Sequence, residues 1–345
     1  MILTIVSSIF VFGLLVLVHE FGHFITAKMT GMRVDEFAIG FGPKLISTKR
    51  GETVYSIRAV PLGGFNDIAG MDPLNNNAGE RGYCEKPVLS RIIVILAGSA
   101  MNFVLPIVLF FGIFFFSGVA TPSTEPVIGT VIEDTAADQA GLKAGDRIIS
   151  IDGTVVSTWS DFAETIHNSA EGQTFNITYD RKGQLTEVSI QPNYDKESKR
   201  FLIGVQSDIL YKEAGFGESL QLACQRTAEI VLMMLDALVA IFQSPSEADL
   251  AGPIGIAQMA GKMAETGLVP LLNFAALLSL NLGIINLLPV PALDGGHFVT
   301  LVLEAVRGKP LDPKALIYAQ RIGVALLLIL MLFATKNDIV RVFFS

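Results

Sequence analysis

The feature that most constrains this sequence is a pair of histidines at the end of an uncharged hydrophobic segment. Residues 2–18 contain no charged side chain, and His19 and His23 follow directly, with Glu20 between them. A hydrophobic stretch of this length predicts a helix that spans a membrane. Two histidines four residues apart project from one face of such a helix, where they can bind one Zn²⁺ ion while the glutamate acts as a general base. Ionisable groups are costly inside a membrane, so this motif indicates a functional site.

The composition is that of a membrane protein. Hydrophobic residues make up 51% of the 345 residues and charged residues only 17%, and a net charge of -8 gives no basic surface for nucleic acid. The two cysteines, Cys84 and Cys224, lack the spacing of a metal site, so a metal has to be held by histidine and carboxylate side chains. The N-terminus has neither the basic residues nor the cleavage site of a signal peptide, and we expect the first helix to be retained.

Hydrophobic runs predict four transmembrane helices. They lie at about residues 2–27, 92–117, 270–290 and 315–335. A further apolar helix is predicted at about residues 214–242. Its charged residues Glu229 and Asp236 favour a helix that lies along the membrane surface and braces the others.

The basic residues predict the orientation of these helices. Residues 28–91 hold nine Lys/Arg and residues 307–321 hold four, and the positive-inside rule places both segments in the cytoplasm. The N-terminus, the segment between the second and third spans and the C-terminus are then outside the cytoplasm. His19 and His23 lie toward the cytoplasmic end of the first span.

Between the first two spans, a polar and glycine-rich region predicts a β-hairpin at about residues 33–65. Two strand-like segments at 36–43 and 53–60 flank a turn signal at 49–52, and residues 61–65 are expected to interrupt the second strand. An exposed strand edge with glycines could pair with another extended chain, and an ordinary surface hairpin is the alternative. The glycines in question are Gly40, Gly42, Gly63 and Gly64.

An α+β domain is predicted between the second and third spans, at residues 121–208. Strand patterns occur at about 127–132, 147–152, 174–179 and 185–190, and a helix at 159–169 has Ser157 or Thr158 near its cap. Residues 140–153 resemble the corresponding stretch of bacterial PDZ domains and occur in one copy. PDZ domains bind extended peptides by adding them as a strand.

A third metal ligand is expected, because catalytic zinc usually has three protein ligands and keeps its fourth position for water. We favour Asp294, which follows a Pro-Val-Pro segment that interrupts the third span. Asp294 lies at the end of the third span, so it reaches the membrane depth of the histidines only if this span enters the membrane from outside the cytoplasm. That direction requires that the helix at 214–242 does not cross the membrane. His297 is the main rival, Asp67 and Asp72 are weaker ones, and the alternative role of Asp294 is to cap the next helix.

Asparagines in the spans are candidates for holding an extended substrate. A helical substrate hides its backbone in internal hydrogen bonds, and once it is unwound in lipid its freed groups need partners. Asn281 and Asn286, near the interrupted helix, could provide these partners, or could instead bond neighbouring helices. Asn102, in the second span, is expected to bond a neighbouring helix.

Taken together, these motifs resemble the bacterial site-2 proteases, the family of intramembrane zinc metalloproteases that includes the regulator of sigma-E protease. The motifs cover essentially the whole chain. In order, they are His19-Glu20-Phe21-Gly22-His23, Gly40-Phe41-Gly42, Pro61-Leu62-Gly63-Gly64, the PDZ signature, Gly252-Pro253-Ile254-Gly255-Ile256 and Asn286-x-x-Pro289-x-Pro291-x-Leu293-Asp294-Gly295.

The resemblance implies that His19, His23 and Asp294 bind zinc and that Glu20 is catalytic. It also implies that the hairpin re-enters the membrane, that the helix at 214–242 is a juxtamembrane brace, and that Asn281 and Asn286 are of the type that holds substrate. The implied fold class is a polytopic α-helical membrane protein with four transmembrane helices, a membrane-re-entrant β-hairpin and one inserted PDZ domain.

The expected domains follow the same plan. They are an N-terminal membrane core at residues 1–120, an extracytoplasmic PDZ domain at 121–208, a brace helix and linker at 209–265, and a C-terminal membrane core at 266–345.

The implied activity is hydrolysis of a peptide bond inside the transmembrane segment of a single-span protein, in regulated intramembrane proteolysis. Such a substrate is an anti-sigma factor, already trimmed by an upstream site-1 protease, or a remnant signal peptide. The implied location is the bacterial cytoplasmic membrane.

Two features depart from the family pattern. The best-known enterobacterial member has tandem PDZ domains where this chain has one, and the usual Gly-Pro of the second span is Gly98-Ser99 here, which we expect to change only local helix geometry.

Two other functions compete with the protease. A catalytically inactive membrane adaptor would use the PDZ domain to hold partners, but it would not need the complete set of His19, Glu20, His23 and Asp294. A zinc transporter would place polar groups along a path through several spans, whereas here the strong ligands cluster near one depth.

Overall fold

The computed structural model describes residues 1–72, 79–195, 198–243 and 252–344. They divide into two compact units. Met1–Ile113 and Phe216–Ser345 form one, which we call the membrane unit, and Phe114–Gly215 forms the other, which we call the insert. Part of the predicted linker, residues 244–251, lies outside the described residues.

The membrane unit begins with two long helices separated by a β-hairpin. In chain order the elements are α1 (Ile2–Met29), β1 (Val34–Arg50), β2 (Thr53–Ile68), two 3-10 turns (Gly79–Arg81 and Tyr83–Glu85) and α2 (Val88–Ser117). One apolar cluster joins the end of α1, both strands, the second 3-10 turn, α2 and a later helix at Asp294–Arg307, and it fixes the hairpin against the helices.

The insert is an α+β domain. Its elements are β3 (Val119–Pro122), β4 (Ile128–Val131), α3 (Ala136–Gln139), β5 (Arg147–Ile151), β6 (Thr154–Val155), α4 (Trp159–His167), β7 (Phe175–Arg181), β8 (Gln184–Ile190), β9 (Asn193–Asp195), β10 (Arg200–Leu202), β11 (Val205–Ser207) and β12 (Ile209–Lys212). Strands β6-β5-β7-β8 form one antiparallel sheet, and β4–β11, β9–β10 and β3–β12 form two-stranded ladders. The β3–β12 ladder joins the two ends of the insert.

Helix α4 packs its apolar face on this sheet. Phe162 and Ile166, four residues apart, are buried in the core of the insert with Ile177 and Tyr179 of β7. The helix starts where the sequence predicts, because the Thr158 hydroxyl accepts from the backbone of Asp161 and the Asp161 carboxylate accepts from the backbone of Thr158.

Five more helices of the membrane unit lie within the described residues. They are α5 (Phe216–Gln243), α6 (Pro253–Thr266), α7 (Leu268–Leu287), α8 (Asp294–Arg307) and α9 (Pro313–Phe344). Among the described residues, α1, α2, α7 and most of α9 are long and apolar enough to cross a membrane, and α5 is not among these helices. The predicted polytopic helical fold with four spans is therefore confirmed.

The hairpin differs from its prediction. Residues 61–65 do not interrupt the second strand, since β2 continues to Ile68. Residues 36–39 of β1 pair with residues 54–57 of β2 on one side and with residues 64–67 of β2 on the other. Since one segment of β1 pairs with two parts of β2, the long strands have to bend. The bends use Gly40 and Gly63, whose φ angles of 88° and 130° are strained for other residues. Glycine here bends the strands and does not end them.

Helix α6 forms within the segment predicted as a linker. Its first amides are capped from α9, because Asp338 accepts hydrogen bonds from the backbone N–H groups of Gly252 at 3.0 Å and Gly255 at 2.8 Å. Asp338 is buried. A cap that arrives from a distant helix leaves no local sequence signal, which explains why the sequence did not predict α6.

Asp146, a buried residue of the insert, forms an ion pair with the partly exposed Arg181. The Asp146 side chain is 1% exposed and accepts from Arg181 Nε and Nη2, each at 2.7 Å, and from the backbone N–H of Lys143 at 2.8 Å. In contrast, Glu125 and Arg147 pair at the surface, with side chains 60% and 49% exposed.

We expect Asp146→Ala to destabilise the insert by about 2 kcal/mol, because three charge-assisted hydrogen bonds are lost around a buried group. Hydrogen exchange of the β5 and β7 amides in the full chain measures this change. Glu125→Ala, which removes an exposed pair, is the matched control and should change the same amides by less than about 0.5 kcal/mol. Equal effects of the two substitutions would contradict the prediction.

Glu52 ties three segments together at the hairpin turn. It accepts hydrogen bonds from Lys28 at the end of α1 at 2.6 Å, and from Arg81 in the first 3-10 turn at 2.6 and 2.8 Å. The hydrogen bonds from Arg81, and then those from Lys28, lower the pKa of Glu52 to about 2. Because this pKa lies below the ordinary value of 4.5, the contribution of Glu52 to stability is complete above about pH 4.5 and is lost as the pH falls toward 2.

We therefore expect Glu52→Gln to weaken hydrogen-exchange protection of the hairpin at pH 7, and the difference from wild type to shrink as the pH falls below 4.5. High salt should reduce the difference as well, because the cluster is partly exposed. Glu80→Gln, at a neighbouring exposed carboxylate, is the control. A Glu52→Gln effect that is the same at pH 7 and pH 3 would count against the ion-pair explanation.

Candidate metal centre

Three side chains that are distant in the sequence meet inside the membrane unit. His19 and His23 lie one turn apart on α1, and Asp294 is the first residue of α8. The two Nε2 atoms are 3.2 Å apart, and each lies 3.5 Å from Oδ2 of Asp294. In the described part of the chain, this is the group of His, Cys, Asp or Glu donors compact enough to hold a metal ion.

The spacing of the cluster fits a tetrahedral ion. With ligand bonds of about 2.0–2.2 Å, neighbouring donor atoms around Zn²⁺ lie about 3.3–3.6 Å apart. The observed separations of 3.2 and 3.5 Å are close to this range. Two imidazole nitrogens and one carboxylate oxygen also leave the fourth position free for water. The donor set and its spacing therefore suit a catalytic zinc ion.

Close contact between α1 and α2 provides the space for the cluster. A Cβ atom at Gly22 would clash with the backbone carbonyl of Ala97 on α2, and a Cβ atom at Gly98 would overlap the imidazole ring of His23. Small residues allow two membrane helices to approach in this way. The two glycines set the helix spacing at the depth of the histidines.

The position of Asp294 depends on the sharp return between α7 and α8. The prolines predicted to interrupt the span lie in this connection, and α7 ends at Leu287. A Cβ atom at Gly295 would clash with the carbonyls of Leu287 and Leu288, and one at Gly296 with the carbonyl of Val290. Glycine at both positions therefore lets the start of α8 fold back on the end of α7.

The other candidates for the third ligand lie outside the cluster. His297, one turn further along α8, lines a cavity of about 850 Å³ that Asp72 also lines, and neither belongs to the three-donor group. Asp67 is an exposed residue of β2. The capping role considered for Asp294 is not observed, because the cap residue of α8 is Leu293 and no side chain caps this end.

Glu20 has a partner that sequence reasoning missed. Asn66, on β2, donates its amide group to the Glu20 carboxylate Oε2 at 2.7 Å and to the Glu20 backbone carbonyl at 2.8 Å. Gly64 lies on the same strand, and a Cβ atom there would lie 3.0 Å from Glu20 Cγ. The hairpin therefore packs directly on Glu20. In the sequence, this contact is signalled only by the position of Asn66, a polar residue just after the glycine-rich segment at 61–65.

Asn281 and Asn286 lie on α7 without hydrogen-bonding a neighbouring helix. Neither side-chain amide has a hydrogen bond to any described residue, and Asn281 is exposed while Asn286 is half-buried. The interhelical role that the sequence left open is therefore not seen, and both amides are available to a ligand.

Helix α2 contacts all three members of the cluster. Val94 offers its backbone carbonyl to His23, Asn102 meets His19, and the Ser99 hydroxyl donates to Asp294. Asn102 thus bonds a neighbouring helix as predicted, while the contact of Ser99 was not anticipated.

Comparisons with known proteins agree on one family. The model of peptidase family M50 matches residues 7–330. The regulator of sigma-W protease RasP from Bacillus subtilis is 33% identical over 420 residues, which cover 99% of each chain. The zinc metalloprotease RasP from Geobacillus kaustophilus is 35% identical over 420 residues, which cover 99% of this chain and 98% of the relative.

A smaller match concerns one domain. The solved PDZ domain of an SdrC-like protein from Listeria innocua is 30% identical, covers 26% of this chain and 99% of its own length, and gives a TM-score of 0.23. The stretch at residues 140–153 that resembles bacterial PDZ domains lies within the insert.

We expect Asp294→Ala to abolish stable zinc binding, because two histidines alone leave the ion without its third protein ligand. Zinc content per chain, measured by mass spectrometry on purified protein, should fall from about one toward zero. His297→Ala, on the same helix but outside the cluster, should retain the ion. The ligand set is wrong if the two substitutions have the opposite effects.

Proposed function

The chain belongs to peptidase family M50 and is a membrane-embedded zinc metalloprotease, and from that premise we propose that it cuts a single-span membrane protein within its transmembrane segment. The observation that carries the proposal is the cluster of His19, His23 and Asp294, with Glu20 next to His19 on α1. The cluster lies in a unit whose helices include four that are long and apolar enough to cross a membrane. A hydrolytic site at this position meets substrates that are themselves in the membrane.

In the proposed mechanism His19, His23 and Asp294 hold the zinc ion. Bound Zn²⁺ supplies Lewis-acid polarisation of a water molecule and of the carbonyl to be attacked. Glu20 takes a proton as general base and later delivers it to the leaving amine. Oε2 of Glu20 already accepts from Asn66, so we assign the proton to Oε1, which accepts no hydrogen bond from a described residue.

The substrate is held in an extended conformation. Its scissile carbonyl has to leave the internal hydrogen bonds of a helix, and its freed backbone groups need partners in a region without water. Asn281 and Asn286 have amide groups without described partners. In the hairpin that contains Gly40, Gly42, Gly63 and Gly64, residues 64–67 pair with β1 on one side only and so offer a strand edge for pairing. These residues form the proposed substrate-binding surface.

The proposed location is the bacterial cytoplasmic membrane. The excess of basic residues in segments 28–91 and 307–321 supports an orientation with these segments in the cytoplasm and the insert outside. The hairpin then enters the membrane from the cytoplasmic side, toward His19 and His23. The proposed domain limits are those given by the sequence, with the PDZ domain at residues 121–208.

The proposed substrates are anti-sigma factors that an upstream site-1 protease has already shortened, or remnant signal peptides. The name of the Bacillus subtilis relative, a regulator of sigma-W protease, supports the first class. The PDZ domain would then act outside the membrane, either by binding peptide ends or by excluding substrates that have not been trimmed.

The general-base role of Glu20 predicts that Glu20→Gln reduces cleavage at least about 100-fold, since a positioned base contributes about 10²–10⁴-fold. The assay uses a tagged single-span substrate, already trimmed on its outer side, in membranes that contain either wild type or variant. Zinc content of both proteins is measured in parallel and should be unchanged. If wild type binds zinc but cleaves none of several trimmed substrates, the adaptor becomes the better explanation.

The contact between Asn66 and Glu20 predicts that Asn66→Leu lowers kcat about tenfold or more, because small misplacement of a catalytic group is costly. KM and zinc content should change little. Asp67→Asn, at the next and exposed position of β2, is the control for the hairpin. A change confined to KM would instead assign Asn66 to substrate binding.

A further inference from the structure

We propose that α2 carries a second layer of the metal centre, in which Asn102 and Ser99 are positioning residues for two of the three ligands. This inference rests on the proposed zinc site and adds residues that neither the motifs nor the family match assign. It concerns the hydrogen bonds that α2 makes to the proposed ligands. Such bonds determine which tautomer and which rotamer each ligand adopts.

The two histidines face the metal position with the same nitrogen. Their Nε2 atoms are 3.2 Å apart and both point toward Asp294. A neutral imidazole that offers Nε2 to a metal carries its proton on Nδ1, and this N–H needs an acceptor. For His23 the acceptor is the backbone carbonyl of Val94, 2.7 Å from Nδ1.

Asn102 provides the equivalent acceptor for His19. Its side-chain amide lies 3.0 Å from His19 Nδ1, with Nδ2 as the nearer atom. The oxygen and nitrogen of an amide exchange places by a rotation of the group. In the present orientation Oδ1 is buried and has no hydrogen-bond partner among the described residues. Rotation places Oδ1 on His19 Nδ1–H, which is the acceptor that a histidine facing the metal with Nε2 requires.

Ser99 acts on the third ligand. Its hydroxyl donates to Oδ2 of Asp294 at 3.1 Å, and Oδ2 is also the oxygen that faces both histidines. The side chain of Ser99 is fully buried. One hydrogen bond from a fixed hydroxyl therefore selects the carboxylate rotamer that presents Oδ2 to the cluster. This assigns a role to the serine that replaces the proline of the family pattern.

A nearby serine, Ser279, makes an ordinary interhelical contact and serves as the control for Ser99. Ser279, on α7, is also fully buried, and its hydroxyl donates to the backbone carbonyl of Asn102 at 2.9 Å. Ser279 makes no hydrogen bond to His19, His23 or Asp294 among the described contacts. Loss of either serine hydroxyl removes a hydrogen bond between α2 and another helix, but only the loss of Ser99 changes a proposed ligand.

The experiment measures the zinc affinity of the purified full chain in detergent, by competition with a chromophoric chelator. Asn102→Leu removes the acceptor and should weaken zinc binding about 10–100-fold, as loss of such outer partners commonly does. Asn102→Asp retains an acceptor and should stay near wild type. Ser99→Ala should weaken binding measurably, whereas Ser279→Ala should match wild type.

Cobalt substitution gives a second readout that does not depend on activity. The visible absorption of bound Co²⁺ reports the geometry of its ligands, so the spectrum should shift in Asn102→Leu and Ser99→Ala and remain unchanged in Ser279→Ala. If Asn102→Leu does not fold, the comparison of Asn102→Asp and Ser99→Ala with Ser279→Ala still tests the proposal.

Different failures have different meanings. Equal zinc affinities and equal cobalt spectra for Ser99→Ala, Asn102→Leu and Ser279→Ala would overturn the second layer while leaving the zinc site intact. So would an Asn102→Asp variant that binds zinc as weakly as Asn102→Leu. If wild type itself binds no zinc, the failure belongs to the proposed function.

Discussion

The close approach of α1 and α2 is the constraint on which the site depends. Lipid offers no hydrogen bonds, so every polar atom of a catalytic cluster has to find its partner within the protein. Gly22 and Gly98 bring the helices near enough for α2 to provide these partners. A wider spacing would leave the histidines and the aspartate as isolated ionisable groups in an apolar environment, where they are costly.

Much of this arrangement could be predicted from the sequence because it depends on local patterns. The four spans follow from uncharged runs, the histidine pair from helical spacing, and the start of α4 from the capping residue types at Ser157 and Thr158. Asp294 is preferred to His297 because a carboxylate beside a proline-interrupted helix in the membrane otherwise lacks a partner. The structure brings Asp294 and not His297 to the histidines.

What the sequence did not predict consists of contacts between distant segments. Asn66 reaches Glu20 because β2 continues past its glycines, and α6 is capped by Asp338 from the last helix. Ser99 seemed to affect only helix geometry, yet its hydroxyl meets a carboxylate from α8. A single polar residue carries no pattern of its own, and its partner is known only once the fold has brought the two segments together.

The double hydrogen bond from Asn66 has a consequence for how the hairpin and the reaction are linked. One amide group holds both the carboxylate and the main-chain carbonyl of Glu20. A shift of β2 is therefore transmitted to Glu20 and to the turn of α1 that carries it, while His19, His23 and Asp294 each have a separate hydrogen bond to α2. If the hairpin binds an extended chain as proposed, the position of that chain and the orientation of the Glu20 carboxylate depend on the same strand.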